Sequence, residues 1–128
     1  MPGTNVCWCD SGKPADQCCA AIMSGRTPAP TAEALMRSRY SAFATANAAW
    51  LRDSWHPDTR PANTSVDASV RWIGLRIAAT SDGGADDETG TVEFIARCKR
   101  GGHAHRMHEI SRFSRVNGRW VYVDGDVD

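Results

Sequence analysis

Cys7, Cys9, Cys18 and Cys19 place four of the chain's five cysteines inside the thirteen-residue stretch CWCDSGKPADQCC. Thiolates are soft ligands, and a tetrahedral Zn²⁺ site takes four of them at about 2.3 Å, so two short pairs joined by a turn can close a whole coordination shell locally. Disulfides are the competing chemistry. Met1 to Asn5 carry no basic residue and no apolar segment follows them, so nothing there resembles a secretory signal. The expected compartment is a reducing cytoplasm, which disfavours structural disulfides.

Cys18 and Cys19 are adjacent, and neighbouring side chains of an extended segment point to opposite faces. Both can ligate only from a bent backbone, as where a loop enters a helix. Ala20 to Met23 supply one helical turn after Cys19, ending near Gly25, and Asp10, Ser11 and Gly12 supply turn chemistry upstream. If Cys19 failed to reach the metal, His56 is the nearest histidine in sequence.

The pattern Cys-x-Cys, eight residues, Cys-Cys resembles the SEC-C zinc motif, which occurs at the C-terminus of the translocase ATPase SecA and in other bacterial proteins. The stretches MRSRYSAF, GTVEFIAR, HEISRF and GRWVYVDGD extend the likeness over nearly the whole length to the YchJ-like family of uncharacterised bacterial proteins. The resemblance implies a SEC-C knuckle over 1–28, followed by an NTF2-like domain over 29–128. Two positions depart from the family pattern: Asp10 stands where glycine is usual and Trp8 where proline is usual. Aspartate tolerates the left-handed region, so an altered loop is expected rather than a lost site.

Positioning these residues requires a folded scaffold, and 128 residues with 41% hydrophobic and 23% charged side chains suffice for one core and a small appendage. Fifteen basic and fifteen acidic residues balance, so no global basic field attracts nucleic acid. No apolar run reaches the eighteen or so residues that span a bilayer. Gly25, Pro28 and Pro30 mark a stiff connector, and Thr31 is suited to cap the helix after it. Over Thr31 to Thr45, Met36, Tyr40, Phe43 and Asn47 recur at helical spacing, with Leu35 and Ala44 widening the stripe, which predicts one buried face. Asn47 can cap a second helix carrying Trp50, Leu51 and Trp55 and stopping at His56-Pro57. Pro61 to Asp67 reads as loop.

From Val70 the period becomes alternating. Val70, Trp72, Leu75 and Ile77 open a strand, Asp82 to Glu88 form an acidic connection, and Thr91 to Lys99 form a second strand. Gly101-Gly102 turns the chain into a third strand, His105 to Val116. Asn117-Gly118 is a two-residue hairpin signal before a fourth, Arg119 to Asp124. Helices first and about four antiparallel strands after them predict an α+β fold. That the sheet curves into an NTF2-like cone around the helices is what the family resemblance implies.

A cone of this kind can enclose a pocket. Glu109 shares strand parity with Met107 and Phe113, and Arg39 shares a helix with Tyr40 and Phe43. A buried carboxylate near an arginine is either a general base or a satisfied structural pair. The candidate pocket residues are Arg39, Tyr40, Trp55, His108, Glu109 and Tyr122, whose aromatics could equally be plain core. His103, His105 and His108 could chelate a second metal but begin beside an exposed turn. Cys98 reads as a small buried hydrophobe.

Three functions follow as expectations. The first is a noncatalytic adaptor in which fully ligated zinc leaves no open coordination position and shapes a surface around Trp8 and Lys13. Its partner would be a protein or ribonucleoprotein, in translocation or at the ribosome by the SEC-C resemblance. The second is an NTF2-like small-molecule binder or enzyme with a pocket around Glu109. Direct nucleic-acid binding, the third, would rest on Arg112, Arg115 and Arg119, which alternate across faces of one hairpin.

Overall fold

The computed structural model describes residues 6–127; the first five residues, on which the argument against a secretory signal partly rests, lie outside the described residues. A single 3-10 turn, Ala15–Gln17, precedes helix α1, Cys19–Met23. Helix α2 spans Ala32–Ala44 and α3 spans Ala48–Asp53. Four strands follow: β1 Arg71–Asp82, β2 Thr89–Arg100, β3 His103–Val116 and β4 Arg119–Val127. They form one sheet in the order β1-β2-β3-β4, every neighbouring pair antiparallel. This is the α+β architecture expected, helices packed on a four-stranded antiparallel sheet.

Helix α2 begins where the Thr31 hydroxyl accepts the Ala34 amide at 3.0 Å, satisfying one of the free N–H groups of the first turn. Its periodicity predicts one buried face, yet eight of its thirteen residues are buried. The sheet covers one side through Leu35, Met36 and Tyr40, and the cysteine knuckle covers another, where Ser41 meets Cys7. Helix α3 is capped by Asn47, which accepts the Trp50 amide. It ends at Asp53 rather than at His56. The Ser54 hydroxyl donates to the Trp50 carbonyl at 2.6 Å, and the next backbone groups leave the helix to pair with β4, His56 N–H donating to the Tyr122 carbonyl at 2.7 Å.

Trp72 and Leu75 are three apart, an odd spacing for two inward-facing residues of one strand. A bulge between Trp72 and Gly74 resolves it: the extra residue switches parity, and a second irregularity follows between Ile77 and Ala79. A third lies in the β3–β4 pairing at Arg112/Phe113. Bulges bend strands and increase twist, and here the sheet wraps α2. Leu35, Leu51, Val92 and Phe113 are fully buried beneath it, each contributing about 1.5–3 kcal/mol by burial. At both hairpin tips, Gly101-Gly102 and Asn117-Gly118, both central residues have positive φ, as two-residue primed turns require.

Candidate metal centre and the cavity under the sheet

The four N-terminal cysteines converge, all four Sγ atoms lying within 4.8 Å of one another. Cys9 and Cys18 sulfurs are 3.6 Å apart, and those of Cys18 and Cys19 are 3.9 Å apart. A tetrahedron with metal–sulfur bonds of about 2.3 Å has an edge of about 3.8 Å, so the donor set fits a four-thiolate ion such as Zn²⁺ in chemistry and in spacing. The adjacency of Cys18 and Cys19 is solved at the helix entrance: Cys18 is the N-cap of α1 with φ −138° and ψ −118°, and Cys19 is the first helical residue. His56 is not drawn in; its backbone pairs with Tyr122 and its Nδ1 accepts the Asp58 amide.

Electrostatics within the cluster point the same way. A hydrogen bond from Cys19, then those from Ser11 and Cys7, outweigh burial and pull Cys9 down to about 4. The same interaction, then burial, pushes Cys19 far up, and burial first, then the hydrogen bond and the charge of Cys9, raise Cys18 against the opposing pull of Ser11. One thiolate makes its neighbours harder to ionise; only a cation among them lets all four carry charge. Ser11 Oγ lies 3.2 Å from Cys18 Sγ and Ser41 Oγ lies 3.8 Å from Cys7 Sγ, hydroxyls placed to hydrogen-bond metal-bound thiolates.

The knuckle is tied to the rest of the chain. Arg37 of α2 donates to the Cys9 carbonyl at 2.7 Å while its Nε holds Glu33. Asp10 adopts φ 62°, the left-handed conformation anticipated at this glycine position. Its carboxylate accepts the Leu75 amide at 3.0 Å, occupying part of the open edge of β1, where free N–H groups would otherwise invite pairing. Trp8 is 42% exposed.

Five of the six pocket candidates come together. Arg39, Tyr40, Trp55, Glu109 and Tyr122 line one cavity of about 320 Å³ between α2 and the sheet, closed further by Phe43, Trp72 and Phe94. His108 does not join them. It is one residue from Glu109 on β3 and therefore on the opposite face, where its Nε2 lies 2.7 Å from Glu93 Oε2.

Arg39 and Glu109 are coupled through Tyr122 rather than by direct contact. The Arg39 guanidinium donates to the Leu51 carbonyl and to Ser54 Oγ, at 2.9 and 2.8 Å, and lies 4.9 and 4.4 Å from the ring centres of Trp55 and Tyr122. Burial pulls it down to about 10, against the opposing pull of Tyr122 and Glu109, so it stays charged at neutral pH. Tyr122 and Ser111 hydroxyls donate to the same Glu109 oxygen, at 3.1 and 2.6 Å. Gly125 of β4 packs so closely there that a Cβ would collide with the Glu109 carboxylate. Tyr122 is pushed well above its ordinary value by burial and then by Glu109; burial, then Asp10, pushes Tyr40 up to about 12.

The remaining candidates are placed elsewhere. Cys98 is half-buried, with Trp72 and His105 directly opposite on the flanking strands. His103 and His105 are exposed near the β2–β3 turn. Arg112 is bound by Asp124 and Asp126, and Arg115 donates to the carbonyls of Gly84, Ala85, Asp87 and Gly118 and covers the Trp120 ring. Those two arginines are committed to structure. Ser11, Ser41, Ser54 and Ser111 are the site residues that sequence reasoning missed; the spacings Cys9-x-Ser11 and Glu109-x-Ser111 carried the signal for two of them.

Residues 31–125 match the family model described as YchJ, middle NTF2-like domain. A UPF0225 protein of Streptomyces coelicolor is 48% identical over 126 residues, covering 98% of either chain. One from Cupriavidus metallidurans is 48% identical over 132 residues, 98% of this chain and 92% of the relative. Among solved structures, the solution structure of a SEC-C motif containing protein from Rhodopseudomonas palustris superposes with a TM-score of 0.82 at 35% identity, covering 94% of this chain and 96% of that one. The crystal structure of a SEC-C motif containing protein from Psychrobacter arcticus shares the fold, with a TM-score of 0.74 at 24% identity over 94% and 80% of the two chains.

Proposed function

We propose, since the chain belongs to the UPF0225 family and carries a YchJ-type NTF2-like domain, that it is a noncatalytic zinc-binding interaction protein of the cytoplasm. The observation that carries this is the four-sulfur cluster at tetrahedral spacing. Four protein ligands complete the shell of a structural zinc, leaving no position for substrate or water. The metal therefore shapes a surface and does no chemistry.

That surface has the makings of a docking site. Val6 is 60% exposed and Trp8 42%, two apolar side chains on the outside of the knuckle near exposed Lys13. Beside them a groove runs between the knuckle and the start of α2, lined by Lys13, Asp16, Arg26, Glu33 and Arg37. An exposed tryptophan next to polar rim residues is the composition of an interface anchor. The partner is a protein or ribonucleoprotein.

Affinity capture under zinc-preserving conditions tests this with three forms: the intact chain, Cys18→Ser and Trp8→Ala. The expected result is one partner retained by the intact chain and lost in both variants, with Trp8→Ala still holding its metal. A set of captured proteins identical in all three forms overturns the adaptor reading.

A second reading is favoured by the cavity itself. About 320 Å³ walled by aromatics with Arg39 and Glu109 at its edge is within the size range of small-molecule sites. The Trp55 indole N–H in the same wall is buried without a hydrogen-bond partner among the described residues. A ligand with an apolar body and a hydrogen-bond acceptor suits such a wall. Thermal-shift screening of the Glu109→Gln variant against the intact chain separates the readings: a compound stabilising only the intact protein supports the binder.

A further inference from the structure

The zero net charge of this chain conceals a segregation of charge across the outer face of the sheet. Between Glu93 and Glu109 there is no acidic residue, while Arg97, Lys99, Arg100 and Arg106 fall in that interval. The strand register arranges these cations with two from β1. Arg71 lies directly opposite Lys99, and Arg97 lies directly opposite Arg106. Arg76 is opposite Ile95, one position further along the same face. Directly paired residues point to one side of a sheet, and Phe94, Ala96 and Cys98 alternate with these positions toward the core. Arg71, Arg76, Arg97, Lys99 and Arg106 therefore share the solvent face, and all five are exposed.

None of the five has an ion-pair or hydrogen-bond partner among the described residues. Arg100 is different, being held by Asp67 at 3.3 Å. With strands about 4.8 Å apart and same-face residues about 6.8 Å apart, the five cations occupy roughly 10 by 14 Å. Like charges directly opposite one another destabilise a sheet, and two such pairs stand side by side in a chain with fifteen carboxylate side chains available. At the other end of the same face the arrangement reverses: Glu93 meets His108, and Arg112 is neutralised by Asp124 and Asp126. One carboxylate reaches the cationic end: Asp10 shares a surface depression with Arg76 and Arg97 and is engaged by the Leu75 amide, which leaves five cations facing one acid and an excess of positive charge for an external polyanion.

The form of the patch narrows the occupant. Four of its five cations are arginines, whose planar forks fit phosphate oxygens. Arg71, Arg76, Arg97, Lys99 and Arg106 are not interleaved with phenylalanine, tyrosine or tryptophan rings on which unpaired bases could stack. The His108 imidazole further along the face is engaged by Glu93, and no helix stands on the face to enter a deep groove. Its cations form a block rather than a single row, matching phosphates on both sides of a shallow groove. A-form RNA presents such a wide, shallow groove and is recognised through shape and backbone. We infer that the outer face of β1, β2 and β3 around Arg97 and Arg106 binds the phosphate backbone of double-stranded RNA. This goes beyond the metal reading and does not depend on it.

Fluorescence anisotropy with a labelled RNA duplex of about 16 base pairs tests the inference on the full, zinc-loaded chain. The intact protein should bind with an affinity that falls linearly on a log–log plot against salt. The double variant Arg97→Ala/Arg106→Ala should bind roughly tenfold or more weakly at low salt, with the salt slope reduced by about two. Its thermal midpoint should be no lower than that of the intact protein, because a repulsive pair is removed. Arg112→Ala, at the neutralised end, should bind RNA as the intact chain does. Absence of binding by the intact chain, unchanged binding by the double variant, or equally tight binding of a DNA duplex or of polyglutamate would each overturn the assignment.

Discussion

Replacing Asp10 separates two contributions that act in opposite directions at one residue. Its carboxylate accepts the buried Leu75 amide on the open edge of β1, a charge-assisted bond worth about 1.5 kcal/mol at a solvent-exposed acceptor. Its backbone sits at φ 62°, where a non-glycine residue costs roughly 1 kcal/mol. Asp10→Asn keeps an acceptor and a side chain tolerant of that region, and should cost only about 0.5 kcal/mol. Asp10→Gly loses the bond but relieves the backbone, while greater freedom in the unfolded chain adds roughly 0.5–1 kcal/mol, for a net cost of about 1 kcal/mol. Asp10→Ala loses the bond and tolerates the left-handed region less well than aspartate, costing about 2 kcal/mol. At about 4 °C per kcal/mol for a chain of this size, the thermal midpoints should fall in the order Asn, Gly, Ala over about 6 °C. Differential scanning calorimetry on zinc-loaded samples reads this directly. If the glycine variant matched or exceeded the parent, the carboxylate–amide bond would contribute nothing and the account of how the knuckle seals β1 would be wrong.

Other outcomes follow from the same geometry. Chelation of the metal should lower the thermal midpoint of the α2 and sheet core as well as unfold the knuckle, because Cys7, Cys9 and Cys19 are part of the same buried cluster as Leu35 and Phe94; amide spectra with and without chelator report it, and unshifted signals across 31–127 would contradict it. Gly125→Ala should destabilise by about 1–3 kcal/mol, since its Cβ meets the Glu109 carboxylate, and Glu109→Ala in the same chain should recover part of that loss in urea unfolding. The two tyrosines, Tyr40 and Tyr122, both have raised values in the fold. The folded state thus holds protons that the unfolded state releases, so stability is intact below about pH 10 and falls as pH rises toward about 12. Tyrosinate absorbance should therefore appear together with unfolding, and a smooth titration near pH 10 in folded protein would refute the buried environment of both rings.

Much of this was legible because the local signals were strong. Thr31 and Asn47 announce helix starts by cap chemistry, Asn117-Gly118 announces a hairpin, and four closely spaced cysteines announce a cluster able to hold a metal ion. What escaped had tertiary causes. The early end of α3 depends on Tyr122, far along the chain, offering its backbone to His56. The odd spacing of Trp72 and Leu75 becomes sensible only with a bulge that pairing to β2 defines. His108 stays out of the pocket that Glu109 lines because adjacent residues of a strand face opposite ways. The cationic face was hidden for a similar reason: Arg71 and Arg97 are distant in sequence, and only the register brings them to one surface.

X-ray absorption at the zinc edge on reduced, purified protein probes the centre most directly. One zinc per chain with four sulfur neighbours at about 2.3 Å is the predicted result, reduced to three sulfurs or lost in Cys19→Ser. A chain without stoichiometric zinc, or a shell containing nitrogen or oxygen in place of one of the four sulfurs, would contradict it.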